Sequence, residues 1–303
     1  MRAALLREVD GPFELCDVPE PAADGKVLVR VRAAGVNFAD VLVRRGRYPQ
    51  MPELPAVLGS EIAGELDDGT RVIAITSGAG GYAEVAAVDR AQVVPLPESA
   101  SFAEGASFLL TFLTAFIPLT RQAKLFPGAT VLVHAAAGGV GTAAVQIASA
   151  FGARVVAAVG SAEKLDVCLE LGAAAAYVYD ELPEDLRVDV VVDPVGGELF
   201  SAAISRLRPL GVVLALGSAA GPWPELNPGL LVGRNVGVQG FYLGRLLRLD
   251  PELVGDAVGE LLALWETGAF RPLVGAELPL DEVDRAHELV ESRRSVGKVV
   301  LVP

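Results

Sequence analysis

Apolar residues in this chain follow two different patterns, and the change between them divides it. In the first hundred residues short apolar runs are broken by turns: Gly25-Lys26-Val27-Leu28-Val29-Arg30-Val31-Arg32, then residues 59–64, then Arg71-Val72-Ile73-Ala74-Ile75, then Tyr82-Ala83-Glu84-Val85. Val27, Val29 and Val31 alternate with polar or basic partners, as a half-exposed antiparallel strand requires. The pattern changes around Pro95-Leu96-Pro97-Glu98. There Ser101, followed by Glu104 three positions later, marks a capped helix start.

From that point to about residue 267 the chain alternates strand and helix. Strands are expected at Thr130-Val131-Leu132-Val133, Arg154-Val155-Val156-Ala157-Ala158-Val159, Ala176-Tyr177-Val178-Tyr179, Val188-Asp189-Val190-Val191-Val192-Asp193, Gly211-Val212-Val213-Leu214-Ala215-Leu216 and Val236-Gly237-Val238-Gln239-Gly240-Phe241. Helices are expected from Thr142, over residues 162–171 and over residues 198–207. Six strands with helical crossovers predict an α/β fold with a doubly wound parallel sheet of the Rossmann type. A last run, Gly297-Lys298-Val299-Val300-Leu301-Val302, is expected to rejoin the N-terminal region. The β-rich domain would then be discontinuous, residues 1–98 and 268–303, around a dinucleotide-binding domain of residues 99–267.

The sharpest chemical signal lies between the first of these strands and its helix. There His134-Ala135-Ala136-Ala137-Gly138-Gly139-Val140-Gly141 joins a buried strand to an alanine-rich helix. A strand, a tight glycine turn and a helix N-terminus make an anion site, because free backbone N–H groups and the helix dipole converge there. Ala136-x-Gly138-x-x-Gly141 is a dinucleotide fingerprint with alanine in its first position. Glycines also serve close strand–helix packing, so it is the strand-to-helix setting that gives the run its meaning.

Composition narrows the class. The chain has 303 residues, 52% of them hydrophobic, and a formal net charge of −13. That length exceeds the usual single core. The negative charge opposes binding to nucleic acid or anionic membranes and is read as serving solubility. No apolar run reads as approaching the ~20 uninterrupted residues of a membrane span, and the start lacks a basic-then-apolar export signal. Cys16 and Cys168 stand in unlike segments, which fits reduced thiols and a cytoplasmic location. Arginine outnumbers lysine 21 to 4, a bias that fits a GC-rich genome or a hot habitat.

A series of motifs then occurs in order: Gly35-Val36-Asn37-Phe38-Ala39-Asp40, Arg45-Gly46-Arg47-Tyr48-Pro49, Leu58-Gly59-Ser60-Glu61, Gly81-Tyr82-Ala83-Glu84, Leu113-Thr114-Ala115, the glycine run, Gly160-Ser161-Ala162-Glu163-Lys164, and Glu291-Ser292-Arg293. In these the chain resembles the quinone oxidoreductases of the zeta-crystallin type, in the zinc-free branch of the medium-chain dehydrogenase/reductase superfamily. The resemblance runs from about Val27 to the C-terminus and departs between Ala63 and Gly81, where the chain looks shorter. It implies that the β-rich part is a GroES-like catalytic domain and that the chain forms a homodimer. The apolar Val232, Val236, Val238 and Phe241 near the last strand also suit pairing of an exposed edge.

Zinc enzymes of the superfamily hold the metal with cysteine, histidine and a further cysteine or acid. Asn37 stands at the position of the first cysteine, and Ser60 precedes Glu61 where those enzymes carry histidine. A catalytic zinc needs three protein ligands, and His134 and His287 are read as structural, so no metal is expected. For the nicotinamide cofactor, NAD folds place an acid at the end of the second strand to meet the ribose 2′-OH. Here that strand ends Val159-Gly160-Ser161, with no carboxylate before Glu163. Such an acid would repel a 2′-phosphate, which Ser161 and Lys164 can instead bind. The resemblance adds Tyr179 and Arg293 around the phosphate, and NADPH is the expected cofactor.

The resemblance also implies that Asn37, Tyr48 and Thr114 border the nicotinamide and substrate, and that Gly217, Ser218 and Phe241 border the cofactor. Asp40 is read as a helix N-cap. With no metal and no nucleophile–base pair, the protein need only hold donor and acceptor in near-attack geometry, an effect on the order of 7 kcal/mol or more. A quinone suits this chemistry, its reduced oxygens taking protons from water or from Tyr48. The activity expected is NADPH-dependent quinone reduction. Two alternatives stay open: reduction of activated C=C bonds in enals or enones, and a non-catalytic, crystallin-like NADPH-binding role.

Overall fold

The structure is a computed structural model that describes residues 1–76 and 78–303. Ser77, inside the segment where the family pattern departs, lies outside the described residues. The chain divides into two compact units, Met1–Leu110 with Pro272–Pro303, and Thr111–Arg271.

The unit of residues 111–271 is built on a six-stranded sheet. Its strands run, from edge to edge, Ala175–Val178, Arg154–Val159, Thr130–His134, Val188–Asp193, Leu207–Ala215 and Gly237–Gly240, and neighbouring strands are parallel. Strands buried on both faces need continuous β-branched and aliphatic runs. Val131, Leu132, Val133, Val155, Val191 and Val213 are accordingly fully buried, each contributing about 1.5–3 kcal/mol by leaving water. The helix Gly139–Ala150 packs against the strands Thr130–His134 and Arg154–Val159, and its Ala143, Ala144, Val145, Ile147 and Ala148 are fully buried. In chain order the sheet reads 3-2-1-4-5-6. The order reverses between Thr130–His134 and Val188–Asp193, which is where such folds leave a ligand crevice.

The other unit is antiparallel for the most part. Its main sheet runs Val274–Pro279, Lys298–Val302, Val27–Val36, Glu61–Glu65, Arg71–Ile75 and Val93–Pro95, with Val85–Val88 also paired to Val27–Val36. A second sheet joins Phe13–Asp17, Arg2–Leu6 and Ala56–Val57. Lys298–Val302 pairs with Val27–Val36 in the register Val299↔Val36, Val300↔Gly35, Leu301↔Ala34. A core of Leu6, Val29, Ala34, Leu58, Ile62, Tyr82, Val299 and Leu301 closes over it.

Several expectations need correction. Asp40 does not cap the helix Phe38–Arg44: Asn37 is the N-cap, and Asp40 stands at the third helical position, accepting the Asn37 backbone N–H at 2.9 Å. The expected helix over 162–171 is a 3-10 turn, Ala162–Lys164, followed by a short helix, Leu165–Glu170. Tyr82-Ala83-Glu84 makes only an isolated bridge, Ala3↔Ala83, before the strand Val85–Val88. Phe102–Gln122 is, at 21 residues, long and apolar enough to cross a membrane by length and composition, contrary to the sequence reading. Its most apolar window is 83% buried within the protein, as a core helix would be. The capping box at Ser101 is present, with Glu104 accepting the Ser101 N–H at 2.8 Å.

Candidate functional site

In the parallel unit the glycine run forms a cradle out of backbone. Ala135 takes a left-handed conformation, φ 48°, uncommon for a residue with a Cβ. It is pinned there by its N–H, which donates to the Tyr179 hydroxyl at 2.9 Å, and by its carbonyl, which accepts the Gly138 N–H at 2.8 Å. The helix Gly139–Ala150 starts immediately after, with Gly138 as an N-cap that offers no side-chain bond to the first turn. Its leading N–H groups are thereby left to a ligand. Gly141 is required sterically, because a Cβ there would lie 2.1 Å from the Ala135 carbonyl oxygen. Gly138, Gly139 and Val140 are half-buried beside it.

The second strand ends at Val159, and the two residues after it carry no charge. A Cβ at Gly160 would meet nothing within 4 Å. Ser161 leads into the turn Ala162–Lys164 without capping it, and the first carboxylate, Glu163, is exposed. Lys164 is half-buried, and that burial lowers its ammonium from the usual lysine value. Such a residue gains from an anionic partner. Tyr179, at the end of the third strand, is committed to the glycine loop through the Ala135 N–H. Its hydroxyl proton is a separate donor.

At the reversal point Asp193 organises the loop after its own strand. Its Oδ1 accepts the Val195 and Gly196 N–H groups at 2.9 and 3.2 Å and lies 3.3 Å from His134 Nδ1. Two loops meet closely there, since a Cβ on Gly217 would lie 2.9 Å from the Pro194 carbonyl oxygen. Ser218 comes next, half-buried. Phe241 is tied to the sheet by its N–H on the Ala215 carbonyl, 3.0 Å, and Thr114 sits half-buried on the helix Leu109–Ile117. Parallel strands thus bring the glycine run, Gly160, Ser161, Lys164, Tyr179, Gly217, Ser218 and Phe241 to the carboxyl ends of one sheet. The backbone cradle and the acid-free strand end fit a dinucleotide with a 2′-phosphate.

The antiparallel unit carries Asn37, Tyr48 and Arg293. Tyr48 packs half-buried against the unit's core. Arg293 is exposed just past the helix Val283–Glu291, φ 58°, its N–H on the Val290 carbonyl. Asn37 belongs to a buried polar cluster that strand register assembles. Val299↔Val36 sets Lys298 beside Asn37, and Gly35↔Glu61 brings in the carboxylate of the next strand. Lys298 Nζ donates to Asn37 Oδ1 at 2.6 Å and to Glu61 Oε2 at 3.0 Å, and the two charged side chains are 4% and 0% exposed. Glu61 Oε1 accepts the Leu110 N–H at 2.9 Å. Burial pushes the Glu61 carboxyl up, opposed by Lys298 and that N–H.

A neighbouring group centres on Asp40, which accepts from the Ser60 hydroxyl at 2.6 Å and from the Tyr82 hydroxyl at 3.2 Å. Burial raises the Asp40 carboxyl, while these donors and Lys298 oppose the shift. His287 Nε2 lies 3.3 Å from the same Tyr82 hydroxyl. In the sequence Lys298 reads only as a strand start and Asp193 only as the end of a strand. The available signal was a lone lysine among Val299, Val300 and Leu301.

Zinc does not fit these residues. Among the described residues no three His, Cys, Asp or Glu side chains are grouped so as to hold a metal ion. The positions where zinc dehydrogenases carry cysteine and histidine hold Asn37, bonded to Lys298, and Ser60, bonded to Asp40.

Comparison with known proteins agrees with this architecture. Residues 23–98 match the alcohol dehydrogenase GroES-like domain and residues 139–258 match the zinc-binding dehydrogenase family. The quinone oxidoreductase-like protein 2 homolog of Nematostella vectensis is 33% identical over 99% of this chain and 88% of its own length. The mouse quinone oxidoreductase is 32% identical over 100% of this chain and 98% of its own. Among solved structures, the quinone oxidoreductase of Thermus thermophilus, determined also in complex with NADPH, is 41% identical and superposes with a TM-score of 0.93, each chain fully covered. The chain belongs to the quinone oxidoreductase group of the medium-chain dehydrogenase/reductase superfamily and is an oxidoreductase.

Proposed function

We propose that the protein is an NADPH-dependent, metal-free reductase that passes a hydride from the nicotinamide to a quinone. The observation that carries this reading is the acid-free end of the second strand, with open space at Gly160 and a half-buried Lys164 beyond it. A carboxylate there would accept from a ribose 2′-OH, whereas its absence beside a lysine suits a 2′-phosphate. Gly138 to Gly141 would hold the pyrophosphate on the helix N-terminus. Ser161, Lys164, Tyr179 and Arg293 would serve the 2′-phosphate, and Thr114, Gly217, Ser218 and Phe241 the rest of the cofactor. The NADPH complex of the Thermus relative supports the same choice.

NADPH would supply the hydride. The residues of this chain bind and orient it and need supply no metal or nucleophile. A quinone that accepts one hydride and one proton becomes a hydroquinone, with the proton drawn from solvent or from Tyr48. Asn37 and Tyr48 are assigned to the acceptor side. The protein is further proposed to act in the cytoplasm as a homodimer. Gly237–Gly240 is the outer strand of its sheet, and Val232, close before it, is 77% exposed.

The test is an acceptor panel of quinones, enones and aldehydes with NADPH, followed at the nicotinamide absorbance. Turnover with quinones is expected. Turnover with enones or enals alone would move the assignment to C=C reduction, and tight NADPH binding without turnover of any acceptor would replace catalysis with a structural role.

A further inference from the structure

Within the parallel unit one buried carboxylate ties together both sides of the sheet's reversal point. Strand register sets it there. Val192 pairs with Val133, so the next residues, Asp193 and His134, stand side by side at the carboxyl ends. Asp193 is 0% exposed and His134 2%, and polar groups so far from water need hydrogen-bond partners. Asp193 Oδ1 lies 3.3 Å from His134 Nδ1 on one side. On the other it accepts the Val195 and Gly196 N–H groups at 2.9 and 3.2 Å, and Oδ2 accepts the Gly196 N–H as well, at 3.3 Å. A carboxylate can only accept, so the hydrogen in the His134 contact sits on Nδ1. From His134 the tie runs into the glycine cradle, because Ala135 is the next residue and Tyr179 holds its N–H. From Gly196 it runs to the loop after the fifth strand. Gly196 has φ 71°, and a Cβ on it would lie 3.1 Å from Ser218 Cα.

We propose that His134 and Asp193 are positioning residues: the bond from His134 Nδ1 to Asp193 Oδ1 fixes the spacing between the glycine cradle and the loop of Gly217 and Ser218, so that one dinucleotide meets both. The order of the sheet puts the contacts in line. Ser161, Lys164 and Tyr179 lie at the ends of the second and third strands, the cradle at the first, and Gly217 with Ser218 at the fifth, on the far side. A ligand that runs past the cradle onto the far loop needs the two at one fixed distance. A preset distance spares the cost of ordering them on binding. The proposal rests on the reading of these positions as an NADPH site.

The test is made at His134, since a change at Asp193 would also release the Val195 and Gly196 N–H groups. His134→Leu fills the space and removes the bond. His134→Asn sets an amide nitrogen where Nδ1 stands, keeping the bond but leaving a void. Each is titrated with NADPH and with adenosine 2′,5′-bisphosphate, which carries the 2′-phosphate and ends at the first phosphate of the cradle. His134→Leu is expected to weaken NADPH about tenfold or more and to bind the bisphosphate as the unmodified protein does, which also shows that it is folded. His134→Asn is expected to keep most of the NADPH affinity, even where its void makes it the less stable of the two. Equal losses for both ligands, or NADPH affinity that follows folding stability through the two variants, would make the pair merely structural and overturn the proposal. A ligand-free check is the 15N spectrum of the imidazole, identified by the resonances lost in His134→Leu. Hydrogen on Nδ1 is expected, and hydrogen on Nε2 alone overturns the proposal. An unmodified protein that binds neither ligand would overturn the NADPH reading and this proposal with it, whereas a His134→Leu variant that binds NADPH normally overturns the proposal alone.

Discussion

The two units build polar sites from opposite materials. The cradle of the parallel unit is made of backbone: N–H groups at a helix start, a left-handed Ala135, and Gly141, whose missing Cβ lets loop and helix touch. The polar centre of the antiparallel unit is made of side chains, Asn37, Glu61, Lys298, Asp40, Ser60 and Tyr82, brought in by four separate stretches of chain. A backbone site recognises what every dinucleotide shares, its phosphates, and depends on local geometry. A side-chain site has to be neutralised and satisfied from within, and it depends on strand register. The first should therefore fail through crowding and the second through charge.

The charged site should show the largest effect. Lys298→Met leaves Glu61 buried without its partner and is expected to cost about 3–5 kcal/mol of stability, read by denaturant unfolding of the intact protein. Lys298→Met with Glu61→Gln should recover most of that loss. Equal destabilisation by single and double variants would mean that packing, not charge, holds the cluster.

Crowding comes next. In Gly141→Val the new side chain would meet the Ala135 carbonyl at 2.1 Å, so loop and helix must part. NADPH affinity should fall by about 1–3 kcal/mol or more, measured by titration, while the antiparallel unit's cluster is untouched. Unchanged affinity would show that the cradle does not bind the cofactor. Lys164→Ala sharpens the same point. It should weaken NADPH by roughly 1.5–3 kcal/mol, the value of a charge-assisted contact, and leave NADH unaffected.

The same contrast decides how much was legible in the sequence. The cradle could be read because its elements are contiguous: an apolar strand, a glycine run and an alanine-rich helix occupy residues 130–150. The sheet was legible too, since doubly buried strands need unbroken aliphatic runs. Tyr179 could be placed at the cofactor only through a resemblance, and its bond to Ala135 joins residues 44 positions apart. Lys298 and Asn37 are 261 positions apart, and nothing local announces the pairing. Asp40 reads as a cap in the sequence for a related reason. Asn37, itself a good cap, stands three residues earlier, so Asp40 turns its side chain back to the Asn37 N–H and inward to Ser60 and Tyr82.

The smallest predicted effect also belongs to the charge-sensitive unit. Burial, aided by Arg44 and Arg45, holds the His287 imidazole down to about 3. The unfolded chain would take up that proton near 6.5, so stability is undiminished above that pH and is lost as pH falls from 6.5 toward 3. Between pH 7.5 and 5.5 the loss from this residue is on the order of 1 kcal/mol. His287→Asn should flatten that limb relative to the unmodified protein. Identical acid profiles would place the His287 ring in contact with protons after all.

The central claim is that an acid-free strand end selects NADPH for a hydride transfer that uses no metal. The direct measurement is the rate of nicotinamide oxidation by a simple quinone, with NADPH and NADH in parallel, before and after exhaustive treatment with a chelator. The account predicts faster turnover with NADPH and a rate that chelation leaves intact. A rate that is lost on chelation and restored by zinc, or one that is equal for the two nucleotides, would contradict it.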